Sequence, residues 1–474
     1  MKLLLECRGE QPDYHIFEAA QIFGDAGLEP VIRPFSGRDR IILEENGLAA
    51  GELPLEEAAA SLGSRELVKH IYTELSAMTG YVSPWGCLTG VRPAKIVNRL
   101  FSEGYGEKEA LAELTGFYLV SDEKARLAVT VAAGQKPFLD EQAADPSRIG
   151  IYIGIPFCPT RCLYCSFTSN PIEKYKKSTD TYLELLHAEM EAAAELVRRK
   201  ELKIESVYIG GGTPTSLSEE QFDRFINDVS RLFAGPSPYL REFSVEAGRP
   251  DSITAGKLRS MRSGGVNRIS VNPQTMNDET LVLIGRKHTP EDTVRAFGLA
   301  RSCGFDNINA DIICGLPGED AEAFSRTLDR VSELRPESVT VHTLSVKRAA
   351  VLRNDSRRTM LDSGITGVMV SSAFSRLTSS GMRPYYMYRQ KNMVGNHENV
   401  AYCLPGHESP YNVHIMEEDQ TIIAAGAGAV SKRVSPGVVK RAFNVKSVED
   451  YIARSTEMPE RKNRLFEEAD GNGA

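Results

Sequence analysis

The sequence predicts an α/β fold built on six parallel strands, and two observations carry that expectation. Six short apolar runs recur, "IGIYIGIP" (149–156), "ESVYIGGG" (205–212), "EFSVEAG" (242–248), "NRISVNP" (267–273), "NINADIICG" (307–315) and "SVTVHTLSV" (338–346), and most are followed by a helical stretch. Such alternation implies parallel strands with covering helices. Five of the six runs end in glycine or proline, and in β/α barrels the loops after the strands build the active site.

The elements follow in order. Residues 1 to about 145 alternate strand and helix: "KLLLEC", a helical "YHIFEAAQIFGDAG", "IILEEN", and a long helical stretch from Pro54 to Met78. They read as a small N-terminal α/β domain, 1–147. The segment "GQKPFLDEQAADPSRIG" (134–150) carries Pro, Asp and Gly with little periodicity and reads as a linker. The six-strand core then spans 148–350. Beyond it the pattern changes to a helix, the aromatic basic stretch "RPYYMYRQKN", a polar loop and the run "AAGAGAVSK", so 351–474 is a C-terminal appendage expected to cover a substrate.

Composition bounds the function. The chain has 474 residues, 41% hydrophobic and 25% charged, with no apolar run near the ~20 residues a bilayer crossing requires. The start "MKLLLECRGEQPDYH" lacks a long apolar region and a cleavage site, so a cytoplasmic protein is expected. A net charge of −8 argues against broad nucleic-acid binding, which needs a cationic surface. Eight cysteines without a secretory signal do not suggest a disulfide framework. Five of them, Cys7, Cys87, Cys303, Cys314 and Cys403, are scattered and read as plain thiols.

The other three stand in "GIPFCPTRCLYCSF" as Cys158, Cys162 and Cys165, a C-x3-C-x2-C spacing. A zinc site wants four ligands, with paired knuckles that are missing nearby. Chance buried thiols do not cluster in a Pro-containing loop. A cubane iron–sulfur cluster normally takes four thiolates, so three from one loop leave one iron open to a substrate or cofactor.

With an aromatic, Tyr164, before the last cysteine, this spacing resembles the signature of the radical S-adenosylmethionine superfamily. The resemblance implies a partial (β/α)6 radical SAM barrel carrying a [4Fe-4S] cluster on Cys158, Cys162 and Cys165. It also implies S-adenosylmethionine chelated to the open iron and a 5′-deoxyadenosyl radical that abstracts hydrogen. The further motifs "YIGIPFC" from Tyr152, "GGGTPT" from Gly210, Glu246, "NRISVNPQ" from Asn267, "RKHT" from Arg286 and "DIICGLPG" from Asp311 resemble the oxygen-independent coproporphyrinogen III oxidase family. "WGCLTGVRPAKI" (85–96) and "YNVHIMEEDQTIIAAGAGAVSK" (411–432) are similar to its longer, HemZ-type coproporphyrinogen dehydrogenase branch. By that resemblance Tyr152, Gly211, Gly212, Thr213, Glu246, Gln274, Arg286 and Asp311 form the S-adenosylmethionine site.

The resemblance implies that two propionates of coproporphyrinogen III are decarboxylated to the vinyl groups of protoporphyrinogen IX in haem biosynthesis. A hydrogen leaves the propionate β-carbon, carbon dioxide is lost, and the remaining electron passes to an acceptor. An electron donor such as flavodoxin or ferredoxin is implied as a partner. One departure stands out: Phe167 occupies the place of a further cysteine in the best-known oxidase branch, and a related haem chaperone branch shares it. A haem chaperone-like binding protein, or another radical SAM enzyme acting on a tetrapyrrole, is therefore the alternative. Four propionates on a broad ring call for cations beside aromatic faces. Arg383, Arg389 and Lys391 with Tyr385, Tyr386 and Tyr388 have that composition, and His397, His407 and His414 are candidates for proton transfer or haem ligation.

Overall fold

The structure is a computed structural model that describes residues 1–7, 12–28, 30–37, 39–165, 170–347, 350–390 and 393–467. Phe167 and Lys391 lie outside the described residues.

The N-terminal unit begins with a strand that is buried at every residue after its first. In β1 (Lys2–Cys7), Leu3, Leu5 and Cys7 share one face, and Leu3 and Leu5 enter a core with Ile41, Leu43 and Leu53. β1 pairs in parallel with β2 (Pro30–Pro34) and antiparallel with β3 (Arg40–Glu45), which pairs with β4 (Leu48–Pro54). The order is β2-β1-β3-β4, and a proline at each end of β2 protects that edge. The helix Tyr14–Gln21, capped by the Asp13 carboxylate, and the helix Ser64–Thr79 cover the core face. The helical stretch expected from Pro54 to Met78 is broken: Glu56–Ser61 forms one short helix, and extended Leu62 and Gly63 separate it from the next.

The segment expected to be a linker is helical. Asp122–Ala144 is one 23-residue helix with Pro137 inside it. Proline and the lack of a clear apolar stripe hid it, because a proline removes one ladder donor without ending a helix that neighbours hold. Packing divides the chain within this helix, into 1–133 with 362–367 and 387–398, and 134–361 with 368–386 and 399–474.

In the second unit the six expected strands all form: β5 (Arg148–Ile155), β6 (Lys203–Gly211), β7 (Glu242–Gly248), β8 (Arg268–Gln274), β9 (Ile308–Cys314) and β10 (Ser338–Thr343). Neighbours pair in parallel throughout. They are buried almost along their whole length, as strands covered on both faces are. The intervening helices begin at Ser218, Thr254, Thr289 and Asp320, whose side chains each accept a hydrogen bond from a backbone N–H of the first turn.

The C-terminal region extends this same sheet. β11 (Arg383–Tyr388) and β12 (Asn399–Cys403) add beyond β10, and β13 (Thr421–Ala425), β14 (Val430–Ser435) and β15 (Val438–Phe443) beyond β5. The order is β11-β12-β10-β9-β8-β7-β6-β5-β13-β14-β15. β13 runs parallel to β5, from Thr421 opposite Ile149 to Ala425 opposite Ile153.

Two buried polar clusters fasten it. Glu189, on the helix Thr179–Arg199, accepts from Gly426 N–H at 2.9 Å, Asn444 Nδ2 at 2.7 Å, the Tyr451 hydroxyl at 2.5 Å and Lys462 Nζ. The Tyr182 hydroxyl, one face along, donates to the Gly154 carbonyl of β5 and accepts from Ala427 N–H. One carboxylate thus ties the C-terminal helix Glu457–Glu467 and the Gly-Ala run to the core.

The second cluster holds His414. Its Nδ1 lies 3.0 Å from Asp419 and its Nε2 3.4 Å from Glu205, which also takes Arg148 and Gln420 Nε2. Burial opposes its charge, but the two carboxylates win and raise its pKa to about 9, while Glu205 falls to about 2 despite burial. His414 is therefore a structural cation. A raised imidazolium contributes stability that is full below about pH 6.5 and lost as the pH rises to about 9. Glu205 contributes above about pH 4.5 and loses its share as the pH falls toward 2. Denaturant midpoints of His414→Asn and the parent should differ most near pH 6, by on the order of 2–3 kcal/mol, and converge above pH 9. Equal differences at pH 6 and 9.5 would contradict the clamp.

Candidate active site

β5 runs out at Ile155 into Phe157 and Cys158, which bridge in parallel to Asn170 and Pro171. The cysteine loop between is held from outside. Leu163 N–H donates to the Ile284 carbonyl at 3.0 Å, the Thr160 hydroxyl donates to the Gly285 carbonyl at 3.2 Å, and the Leu163 carbonyl accepts from Leu352 N–H at 3.0 Å. Cys158 and Cys162 are buried, Cys165 is half-buried, and all three are free thiols.

Their environment fits an iron–sulfur cluster. Burial, with the other two thiols adding, pushes Cys158 up to about 12, so the bare thiol holds its proton until a cation replaces it. The Thr213 hydroxyl donates to Cys158 Sγ at 3.6 Å. Among the described residues no three His, Cys, Asp or Glu side chains are placed to hold a single metal ion.

β6 delivers the glycine turn against this loop. Gly211 has φ +109, a conformation other residues rarely adopt. A Cβ on Gly212 would stand 2.5 Å from the Phe157 carbonyl oxygen and 3.0 Å from Cys158 Sγ. Glycine is thus required where two backbones and a thiol meet. Thr213 completes the turn, with its N–H on the Phe157 carbonyl at 2.7 Å.

The remaining residues expected from the motifs lie on the neighbouring strands, except Arg286, which follows the helix Asp278–Leu283. Glu246 of β7 accepts from the Tyr208 hydroxyl at 2.7 Å, and burial, with Asp311 adding, lifts its pKa to about 7. Asp311 of β9 accepts from Asn309 Nδ2 at 2.7 Å and faces His342 Nε2 at 3.7 Å; these partners outweigh burial and lower its pKa. Gln274 ends β8 after Pro273, where the register with β9 slips. It adopts φ +68, is buried, and leaves Oε1 without a protein partner. Arg286 donates to the Asn272 carbonyl at 2.5 Å and to the Tyr164 hydroxyl at 3.3 Å, and sits beside Cys162. Tyr152 of β5 stacks with Tyr208 and Tyr411, ring centroids 6.3 Å from each, and Tyr208 stacks on Tyr411 at 4.4 Å.

The motifs did not single out four of these neighbours. Tyr208 sits three residues before Gly211 in the strand that was quoted, and its alternation with Ile209 was the available signal. His342 and Arg249, whose guanidinium pairs with Asp251 and donates to the Thr160 hydroxyl, stand in runs that read as strand and turn. Tyr411 opens the stretch 411–432 that carried the branch resemblance, but its place in the helix Pro410–Glu417, far along the chain, gave no sign of its stack on Tyr208.

The aromatic basic stretch is different from what its composition suggested. Arg389 is buried, donates to the Leu88 carbonyl at 2.7 Å and to Asn396 Oδ1 at 2.5 Å, and lies over the Trp85 ring. Trp85 Nε1–H donates to buried Glu398, which pairs with Lys124 at 2.7 Å. The guanidinium thus organises the "WGCLTG" segment. Tyr385 and Tyr386 are core residues of β11, and Arg383 is exposed at its start. His397 is buried against Gly367 and Gly395, and burial lowers its pKa.

Parallel strands whose carboxyl ends carry a three-cysteine loop, a glycine turn and buried carboxylates define a radical S-adenosylmethionine domain, and residues 152–331 match the Radical SAM superfamily. The oxygen-independent coproporphyrinogen-III oxidase-like protein HemZ of Bacillus subtilis is 40% identical over 408 residues, 85% of this chain and 81% of its own length. The haem chaperone HemW of the same organism is 31% identical over 325 residues, 67% of this chain and 81% of its own. The solved coproporphyrinogen III oxidase HemN of Escherichia coli, a radical SAM enzyme, shares the fold at TM-score 0.54 and 24% identity, covering 68% of this chain and 73% of that one. The chain belongs to the HemN/HemZ family of radical SAM proteins. No helix among the described residues is long and apolar enough to cross a membrane.

Proposed function

We propose that this protein is a radical SAM oxidoreductase that decarboxylates coproporphyrinogen III to protoporphyrinogen IX without oxygen. The observation that carries the reading is the meeting of the cysteine loop with the polar ends of β5 to β9, in a chain similar over most of its length to a coproporphyrinogen-III oxidase-like protein. When bound, a [4Fe-4S] cluster with S-adenosylmethionine supplies radical hydrogen abstraction.

The chain's own residues have these roles in the proposal. Cys158, Cys162 and Cys165 would hold the cluster. Gly211, Gly212 and Thr213 bring backbone groups to the methionine end of S-adenosylmethionine. Glu246, Asp311 and Gln274 supply acceptors for ribose hydroxyls, amine and adenine, and Arg286 a cation for the carboxylate. Tyr152, held in its stack with Tyr208 and Tyr411, forms an apolar wall that excludes water. Residues 351–474 cover the substrate.

The haem chaperone HemW is the relative that favours a second reading, in which the chain binds haem. Two of the candidate haem ligands are engaged elsewhere: His414 is clamped between carboxylates, and His397 is packed between glycines. Anaerobic turnover of reconstituted protein with coproporphyrinogen III, read by mass as two successive losses of carbon dioxide together with two hydrogens, tests the proposal. Loss of both is the expected result. Stoichiometric haem binding with no porphyrinogen consumed would overturn it.

A further inference from the structure

Arg249 is the first residue after β7, and the chain is bent there so that its side chain meets the cysteine loop. Gly248 adopts φ +70, and a Cβ on it would stand 3.1 Å from Thr213 Cγ2, so the position favours glycine. Pro250 then opens the short turn Pro250–Ser252, and the Ser252 hydroxyl donates to the Arg249 carbonyl at 2.8 Å. The guanidinium is held as firmly as the backbone. Nε donates to Asp251 Oδ1 at 3.0 Å and Nη2 to Oδ2 at 2.7 Å, a bidentate fork. The remaining edge, Nη1, donates to the hydroxyl of Thr160, which stands between Cys158 and Cys162 and donates in turn to the Gly285 carbonyl at 3.2 Å.

The pair is not electrically neutral as the loop feels it. Asp251 occupies the edge of the guanidinium away from Thr160, and its side chain is 25% exposed against 3% for Arg249. Water therefore screens the anion more than the cation. Arg249 accordingly opposes the rise that burial imposes on Cys158. The other thiols have cations of their own: Arg286 sits beside Cys162, and half-buried Lys347 faces Cys165. His288, buried in the same cluster, adds no charge at neutral pH, because burial, with Arg286 and Arg249 adding and Asp251 opposing, lowers its pKa to about 4. Arg286 is assigned above to a carboxylate. Arg249 is engaged by the protein alone, so its place does not depend on a ligand.

We propose that Arg249 sets the reduction potential of the bound cluster: a buried cation fixed against the loop between Cys158 and Cys162 favours the gain of an electron there. The inference rests on the cluster assignment above. In the step, a one-electron donor is oxidised and the iron–sulfur group is reduced; no bond forms or breaks and no proton moves. Thiolates already make the site negative and the electron adds to it, so a fixed positive charge stabilises the reduced state more than the oxidised one. Burial keeps salt from cancelling the effect.

The test is a potentiometric titration of reconstituted full-length protein with dithionite, without S-adenosylmethionine, read by electron paramagnetic resonance of the reduced cluster and set beside the iron content. Arg249→Gln should keep its iron, because Leu163 still fastens the loop to Ile284 and Leu352. At a fixed poise the ratio of reduced to oxidised cluster should fall about tenfold, a midpoint about 59 mV lower for one electron. Arg249→Lys keeps the charge without the fork and should restore most of the midpoint. Thr160→Val cuts the bond and leaves the cation, so its midpoint should stay near that of the parent, while Asp251→Asn should raise it. An unchanged midpoint in Arg249→Gln at full iron content would overturn the proposal. So would a shift in Thr160→Val as large as that in Arg249→Gln, since the arginine would then be only a brace. Where Arg249→Gln holds no iron, Asp251→Asn decides, and a midpoint that does not rise overturns the proposal. A parent protein that takes up no iron would refute the cluster assignment itself.

Discussion

Anaerobic reconstitution with iron and sulfide is expected to give about four irons and four sulfides per chain. Cys158→Ala, Cys162→Ala and Cys165→Ala should each abolish the visible absorbance of the cluster. The geometry says why one thiol is enough. The loop is fastened through Leu163 and Thr160 to the turn at 284–285, so its backbone is not free to bring another cysteine into place. Cys314 and Cys403 are buried within β9 and β12. Cys303, at the end of the helix Pro290–Ser302, serves as the control, and Cys303→Ala should retain the full iron content. Retention of the cluster in Cys162→Ala together with its loss in Cys303→Ala would move the ligand set.

The second large effect is on stability. Glu189→Ala removes the acceptor of four donors and leaves Lys462 buried and without its carboxylate. Breaking one side of a buried ion pair costs about 3–5 kcal/mol, more than a surface pair could account for. Lys462 already has a lowered pKa, because burial outweighs the attraction of Glu189. Its proton should be lost more easily still in the variant. Lys462→Met combined with Glu189→Ala should recover part of the loss, since no charge is then stranded, and a double-mutant cycle read by denaturant midpoints measures the coupling. Additive losses would mean that the pair is not coupled.

Much of this site was legible because its chemistry is written locally. Three cysteines in eight residues, three glycines at the end of a strand and a carboxylate on each of two further strands place themselves once the strands are found. The strand ends were readable for the same reason: parallel strands buried on both faces are continuous apolar runs. What failed was long-range or compositional. Pro137 made a helix look like a linker. Arg389 sat among tyrosines and looked like a carboxylate receptor, although its partners are Leu88 and Asn396, one of them about 300 positions away. His414 stood as a candidate for proton transfer or haem ligation because Glu205, which holds it, belongs to β6, about 210 residues earlier. Tyr411 joins Tyr152 and Tyr208 only when the last third of the chain folds back onto the sheet.

That return has a biosynthetic consequence. β5 opens the core, yet one of its two edges is paired by β13, which a ribosome makes about 270 residues later. Until then a nascent chain can carry all three cysteines and all six core strands while the first of those strands still exposes a row of unpaired backbone groups. The second edge of β5 is therefore covered only once Thr421–Ala425 has emerged, and chains stalled before Thr421 are the ones a chaperone must shield. Ribosome-arrested chains ending before and after Ala425, probed by limited proteolysis near Ile149, should differ in just this protection.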